Sequence, residues 1–256
     1  MRARLSLLLL LVATGCSHTA LSGETRYGKA AEDDYRSGEN ELKSHNFVEA
    51  AKFFEHVRAK YPFSRYAALS ELRLADAKFD QDLFVESVEA YRTFVRLHPT
   101  HDQVDYAAFR VGLSYWKDGP SDFLLYPPPY EKDQTQVRDA AKAFAEFVGK
   151  YPDSRYVPEA ERLLARARDL LLDHEWYVAR FYTKHKHWGG VVDRLQRIVK
   201  DYPESPRVPA ALLDLANAYL KLDERFRAQQ ALQKLIVEHP EDPRRPQAEK
   251  LLASIR

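Results

Sequence analysis

The side chains best suited to chemistry in this chain are few and scattered. His98-Pro99-Thr100-His101-Asp102 and His185-Lys186-His187 carry imidazoles at spacings a metal could use. A zinc site needs several His, Cys or carboxylate ligands to converge, and neither stretch has a helical His-Glu-x-x-His or a spare cysteine. Pro99 makes the first stretch a turn, and His98 takes the core-facing slot that Tyr61, Tyr151 and Tyr202 take elsewhere. No metal is expected. Gly189-Gly190 has only two glycines and no following Lys-Ser/Thr, so it reads as an interhelical turn and not as a phosphate cradle. Asp33-Asp34 falls on a polar helix face and reads as solvated. With no acid/base pair, nucleophile or metal cluster, no catalytic residue or cofactor is assigned. The chain reads as a binding protein, not an enzyme.

Binding chemistry is better represented. Phe63, Tyr66, Tyr91, Tyr106, Phe109, Tyr115 and Trp116 gather in the first half, beside Arg65, Arg73, Arg92 and Arg110. Aromatic pockets rimmed by arginine suit a peptide with an aromatic end and a free carboxylate. The candidate substrate-binding residues are therefore Phe63, Arg65, Tyr66, Arg73, Tyr91, Tyr106 and Arg110. For any single aromatic, packing between helices is the commoner fate.

The elements that must position these residues repeat. Tyr61-Pro62-Phe63-Ser64-Arg65-Tyr66, Tyr151-Pro152-Asp153-Ser154-Arg155-Tyr156 and Tyr202-Pro203-Glu204-Ser205-Pro206-Arg207 are variants of one phrase, and His98-Pro99 and His239-Pro240 are weaker copies. The prolines are spaced by 37, 53, 51 and 37 residues, one helical-hairpin length twice lengthened. Before each lies an apolar stripe at helical spacing, such as Phe47, Ala50, Ala51, Phe54, Val57 and Tyr61, or Val137, Ala140, Ala141, Phe144, Val148 and Tyr151. Proline ends each helix because it lacks an N–H and disfavours α geometry in the residue before it. The pattern resembles the tetratricopeptide repeat, in which a small residue on helix A meets Ala and an aromatic on helix B. Gly38, Ala50 and Phe54 take those places in the first unit, Ala140 and Phe144 in the third, and Ala216, Tyr219, Ala228 and Leu232 in the last. The fold class is all-α: an α-solenoid of five such hairpins in a right-handed superhelix.

Two insertions differ in kind. Residues 118–133 contain Gly119-Pro120 and Pro127-Pro128-Pro129, which oppose helix and predict a loop, followed by Asp133 and Gln136 as a capping box. Residues 157–187 lack internal breakers and read as one continuous helix or two closely joined ones.

The N-terminus predicts export. Arg2 and Arg4 precede a nine-residue, largely apolar run, Leu5 to Ala13, too short to span a bilayer. Ala13-Thr14-Gly15-Cys16 resembles a bacterial lipobox, and Cys16 is the only cysteine, with no internal partner for a disulfide. Residues 1–15 are thus a signal peptide, residues 16–28 a lipidated flexible tether and residues 29–256 the repeats. Ser17, in place of an aspartate, points to the outer membrane of a Gram-negative bacterium. Removing residues 1–15 leaves 37 Lys+Arg against 38 Asp+Glu, with no electrostatic footprint for nucleic acid.

The wording itself resembles one family. Tyr61-Pro62-Phe63-Ser64-Arg65-Tyr66, Phe94 to His101 with Asp105-Tyr106-Ala107, and His174-Glu175-Trp176-Tyr177-Val178-Ala179-Arg180-Phe181-Tyr182 are similar to the BamD family of outer-membrane lipoproteins. That resemblance implies five tetratricopeptide repeats, docking on a POTRA domain of the barrel subunit BamA, recognition of C-terminal signals on unfolded outer-membrane proteins, and contact with accessory lipoproteins. It also implies that Arg194, near the edge of the Val191, Leu195 and Ile198 stripe, faces the barrel subunit. The loop departs from the family, with Glu131-Lys132-Asp133 where Asp-Arg-Asp is common. A different periplasmic tetratricopeptide adaptor, serving cell division or envelope maintenance, would share the architecture; such proteins often add a trimerising coiled coil, and no sustained heptad occurs here.

Cys16→Ala should block lipid attachment and leave unprocessed or soluble protein. Fractionation of that variant with the outer membrane after a high-salt wash would exclude the lipobox.

Overall fold

A computed structural model describes residues 18–121 and 127–255, all of whose regular structure is helical. Cys16 and the signal peptide lie outside the described residues. Among the described residues eleven α-helices follow one another: α1 His18–Lys43, α2 Phe47–Lys60, α3 Arg65–Asp80, α4 Phe84–Leu97, α5 Val104–Asp118, α6 Thr135–Lys150, α7 Val157–Lys184, α8 Trp188–Asp201, α9 Val208–Lys221, α10 Arg225–Glu238 and α11 Arg245–Ser254. They fall into two compact units, residues 1–99 with α1–α4 and residues 100–256 with α5–α11. None of the described helices is long and apolar enough to cross a membrane.

Each expected stripe becomes a B helix (α2, α4, α6, α8 and α10), and each ends as the prolines require. Tyr61, His98, Tyr151, Tyr202 and His239 all leave the α region, with φ between −124° and −133°. Their N–H groups still bond back four residues, from Tyr61 to Val57 at 2.8 Å and from Tyr202 to Ile198 at 3.1 Å. The chain then re-enters helix with proline in the first turn of α7, α9 and α11, where its missing N–H leaves no bond unmade.

Helix A meets helix B through a missing side chain. A Cβ on Gly38 would lie 2.7 Å from the Phe54 ring, and one on Gly112 would lie 2.7 Å from the Phe144 ring. Both phenylalanines are fully buried. In the first unit the surrounding core is Ala31, Tyr35, Ala50, Val57, Tyr61 and Tyr66. In the second, Phe109, Ala140, Phe147, Ala160 and Leu163 surround Phe144, and a larger cluster around Leu195, Leu212, Leu232 and Leu235 joins α7 to α11.

Four hairpin turns share one construction. His45, Asp82, Lys186 and Asp223 each take φ near 60° (58° to 60°), a region usually left to glycine. The next residue bonds five positions back: Asn46 to Glu41, Leu83 to Lys78, His187 to Tyr182 and Glu224 to Tyr219, at 2.9–3.0 Å. This is the Schellman closure of a helix end.

Helix α1 begins at His18. Two expectations are corrected. Gly189-Gly190 does not form the turn; both sit in the first turn of α8, and Gly190 is needed because a Cβ there would lie 2.8 Å from the Tyr182 ring. Asp133 does not cap α6 with Gln136: the N-cap is Gln134, and Asp133 instead accepts from the Thr135 N–H and hydroxyl at 3.2 and 2.9 Å. Of the 157–187 insertion, Val157–Lys184 is one continuous helix, α7, and the last three residues form the turn into α8.

Gly112→Ala should lower Tm, because about 1–3 kcal/mol of overpacking against Phe144 exceeds the gain of roughly 1 kcal/mol in helix propensity. Gly149→Ala, where nothing lies within 4 Å of the new Cβ, should raise it. A thermal melt showing both variants stabilised would mean that Phe144 can step aside.

Candidate functional site

The candidate residues separate into three environments. Phe63, Arg65 and Tyr66 are brought together in the first unit, where the α2–α3 turn faces α1. With Tyr27, Gly28, Glu32 and Ser64 they line an open groove of about 600 Å³. Phe63 stands 95% exposed, while the Tyr66 ring is buried against Tyr35. Arg65 lies over the Tyr66 ring at 4.8 Å and donates from Nη2 to the Tyr66 hydroxyl at 2.7 Å. That bond holds the Arg65 guanidinium above its ordinary pKa. Tyr27 packs edge-on against Tyr61 at 5.1 Å. Glu32 is paired with Arg36 at 2.5 Å, so its charge is shared within α1. The result is an aromatic wall with a cation at its rim.

Arg73 and Tyr91 do not reach this groove. Tyr91 is fully buried and donates to Asp76 Oδ1 at 2.6 Å, while Arg73 donates to Asp76 Oδ2 at 2.5 Å and to the Tyr35 hydroxyl at 3.2 Å. Tyr35 in turn donates to Glu39 at 3.0 Å. Burial pushes the Tyr35 phenol up to about 12, with Arg73 opposing and Glu39 assisting. Burial alone would depress the Arg73 guanidinium, but Asp76 and Tyr35 hold it above its ordinary value. This is a buried network tying α1, α3 and α4 together, where an unpaired charge would be costly.

Tyr106 and Arg110 belong to the second unit. Arg110 lies over the Tyr106 ring at 5.4 Å, and Tyr106 packs against Tyr156 at 5.7 Å. Tyr156 stacks on Phe109 at 5.1 Å and 10°. Arg155 repeats the first unit's device, lying 4.8 Å over Tyr156 and donating to its hydroxyl at 2.5 Å. The recurring Ser-Arg-Tyr phrase was the available signal for this second pair. Tyr27 and Glu32 had none, because they precede the first repeated phrase.

The histidines serve the turns. His98 Nε2 meets Glu71 Oε2 at 2.8 Å, His101 Nδ1 accepts from the Gln103 N–H at 3.0 Å, and His187 Nδ1 accepts from the Gly190 N–H at 3.2 Å. His185 packs on Phe181 at 4.4 Å. Among the described residues no group of three His, Cys, Asp or Glu side chains is placed to hold a metal.

Arg194 is turned inward. Its Nη1 donates to Glu175 on α7 at 3.1 and 3.4 Å, with only 25% and 12% of the two side chains exposed. A change at Arg194 therefore bears on the packing of α8 against α7 and not on a partner alone.

Helical hairpins closed by proline, with an aromatic and arginine groove on the first unit, define an all-α helical-repeat scaffold. A family model described as outer membrane lipoprotein, YfiO, matches residues 28–235. The outer membrane protein assembly factor BamD of Neisseria meningitidis serogroup B is 31% identical over 227 residues, covering 85% of each chain. The assembly factor BamD of Vibrio cholerae is 25% identical over 190 residues, covering 73% of this chain and 79% of that one. Among solved structures, the TPR2AB domain of yeast Sti1 aligns with a TM-score of 0.42 at 15% identity, covering 89% of this chain and 87% of that one. The chain belongs to the BamD (YfiO) family of outer membrane lipoproteins, which places it at the outer membrane of a Gram-negative cell.

Arg194→Glu should set two carboxylates against each other in a largely buried site and destabilise the fold by on the order of 2–4 kcal/mol. A thermal melt should show a clear drop in Tm, largely restored by the swap Arg194→Glu with Glu175→Arg; an unchanged Tm for the single variant would mean that the pair contributes nothing.

Proposed function

We propose that this chain is a non-enzymatic assembly factor, held on the periplasmic face of the outer membrane by lipid on Cys16, that binds unfolded outer-membrane proteins. The observation carrying this reading is the groove at Phe63, Arg65 and Tyr66, set in a chain that belongs to the BamD family. Phe63 and Tyr27 offer aromatic surface to an aromatic side chain at the end of an unfolded protein. Arg65 spends Nη2 on Tyr66, which orients the guanidinium and leaves its other edge for a terminal carboxylate. Buried Tyr91 and Arg73 support the helices behind that surface instead of touching substrate.

Docking on a BamA-like barrel subunit through a POTRA domain is assigned to the second unit, with accessory lipoproteins as further partners. Arg194, engaged with Glu175, would serve there by fixing α8 against α7 as much as by direct contact. The similarity of the curated relatives, named as outer membrane protein assembly factors, supports this reading over that of a division adaptor.

The test uses the processed chain, residues 16–256, and a peptide ending in phenylalanine with a free carboxylate. Amidating that carboxylate should weaken binding about tenfold, the order of one charge-assisted hydrogen bond. Arg65→Gln should erase the difference between the two peptides, and Phe63→Ala should weaken both. Equal affinity of the parent for the acid and the amide, read by fluorescence anisotropy, would remove Arg65 from the site.

A further inference from the structure

A second groove lies at the far end of the chain. It measures about 660 Å³ and runs between α8 and α10 over a floor made by α9. Leu212, Leu215 and Tyr219 form the floor. Gln196, Val199 and Lys200 line one wall at helical spacing, and Arg227, Gln230, Ala231 and Lys234 line the other. Three of the ten lining residues are basic and none is acidic, although the whole chain is near neutral. The groove is therefore a local basic feature of a balanced protein.

The cations differ in availability. Arg227 donates to Glu224, the N-cap of α10, at 2.9 Å, and Lys234 sits 3.8 Å from Glu238 within α10; both pairs are exposed. Such pairs are worth about 0–1 kcal/mol and exchange readily for another carboxylate. Lys200 has no ion pair among the described residues. The floor is apolar except for the Tyr219 hydroxyl, which is already engaged by Gln196 Nε2 at 2.6 Å. The exposed Gln230 amide offers both N–H donors and a carbonyl acceptor, which can meet the C=O and N–H of a peptide group. This surface is separate from the Arg194 pair: two residues along a helix turning about 100° per residue place Gln196 roughly 200° around α8 from Arg194.

We propose that the α8–α10 groove binds an acidic, amphipathic peptide segment of a partner protein. An apolar side chain of that segment rests on Leu212 and Leu215, its carboxylates meet Lys200 and Lys234, and its backbone meets Gln230. The apolar floor and the free amide favour a polypeptide over a lipid phosphate, which would need only the cations. The volume suits a segment of roughly four to six residues, within the range of about 300–1,000 Å³ usual for binding clefts. The site does not depend on the reading of the Phe63 groove.

The experiment titrates the processed chain, residues 16–256, into a labelled peptide alternating Asp or Glu with Leu or Phe. A second arm uses the same peptide with every acid replaced by lysine, and a third uses phosphatidylglycerol vesicles. The acidic peptide should bind, its affinity should fall with added salt, and Lys200→Glu with Lys234→Glu should weaken it at least about tenfold, as loss of two charge contacts requires. Gln230→Ala, on an exposed position, should weaken binding without altering the melt. Arg65→Gln should leave the titration unchanged, which separates this site from the first groove. Equal binding of the acidic and basic peptides, an unaltered affinity in the double variant, or binding of vesicles but not peptide would each overturn the proposal.

Discussion

Everything in this molecule depends on two phenylalanine rings having somewhere to go. Phe54 and Phe144 occupy space that any side chain at Gly38 or Gly112 would fill, so helix A and helix B approach until ring meets backbone. Close packing in the protein interior makes that approach all or none. Once helices α1 and α2 are set at this distance, the α2–α3 turn is carried toward α1, and the Phe63 groove is the space that remains. The binding surface is thus a by-product of how tightly the hairpin closes.

Charge divides the molecule by depth. The buried Arg73–Asp76 pair of α3 holds Tyr35 of α1 and Tyr91 of α4, and the half-buried Arg194–Glu175 pair links α8 to α7, while exposed pairs such as Arg162 with Glu159 lie within one helix. The first kind fixes how one hairpin sits on the next, because a charge left alone there has no water to receive it. The second kind contributes little and can be traded for a ligand. A groove rimmed by pairs of the second kind is available for binding in a way that Arg73 and Arg194 are not.

The helices and their ends were legible in the sequence because they rest on local rules. A proline after an apolar stripe stops a helix whatever surrounds it, and all five B helices end where those prolines stand. The site was half legible. Phe63, Arg65 and Tyr66 sit within one turn and must be neighbours, whereas Tyr91 and Arg73 belong to stripes whose spacing does not distinguish a core tyrosine from one in a groove. Their fate was decided by Asp76, a carboxylate on the buried side of α3 that draws both toward itself. Gly189-Gly190 misled for a related reason: glycine suggests a turn, but here the left-handed position went to Lys186 and the glycine was needed for closeness to Tyr182. Chain statistics see conformation more easily than contact.

The four Schellman turns carry a consequence for how this chain can vary. Each joins its helices with so few residues that one added or lost would rotate the following helix by about 100° and take its stripe off the core. The third hairpin is built otherwise. Its long connection is pinned at its far end, where His174 meets the Tyr130 carbonyl at 2.7 Å and Gln134 donates to the carbonyls of Pro129 and Lys132. Length changes ahead of those anchors leave the phase of α6 untouched. Four hairpins therefore act as a fixed ruler, and the third holds the one connection free to drift in length while the ruler keeps its marks.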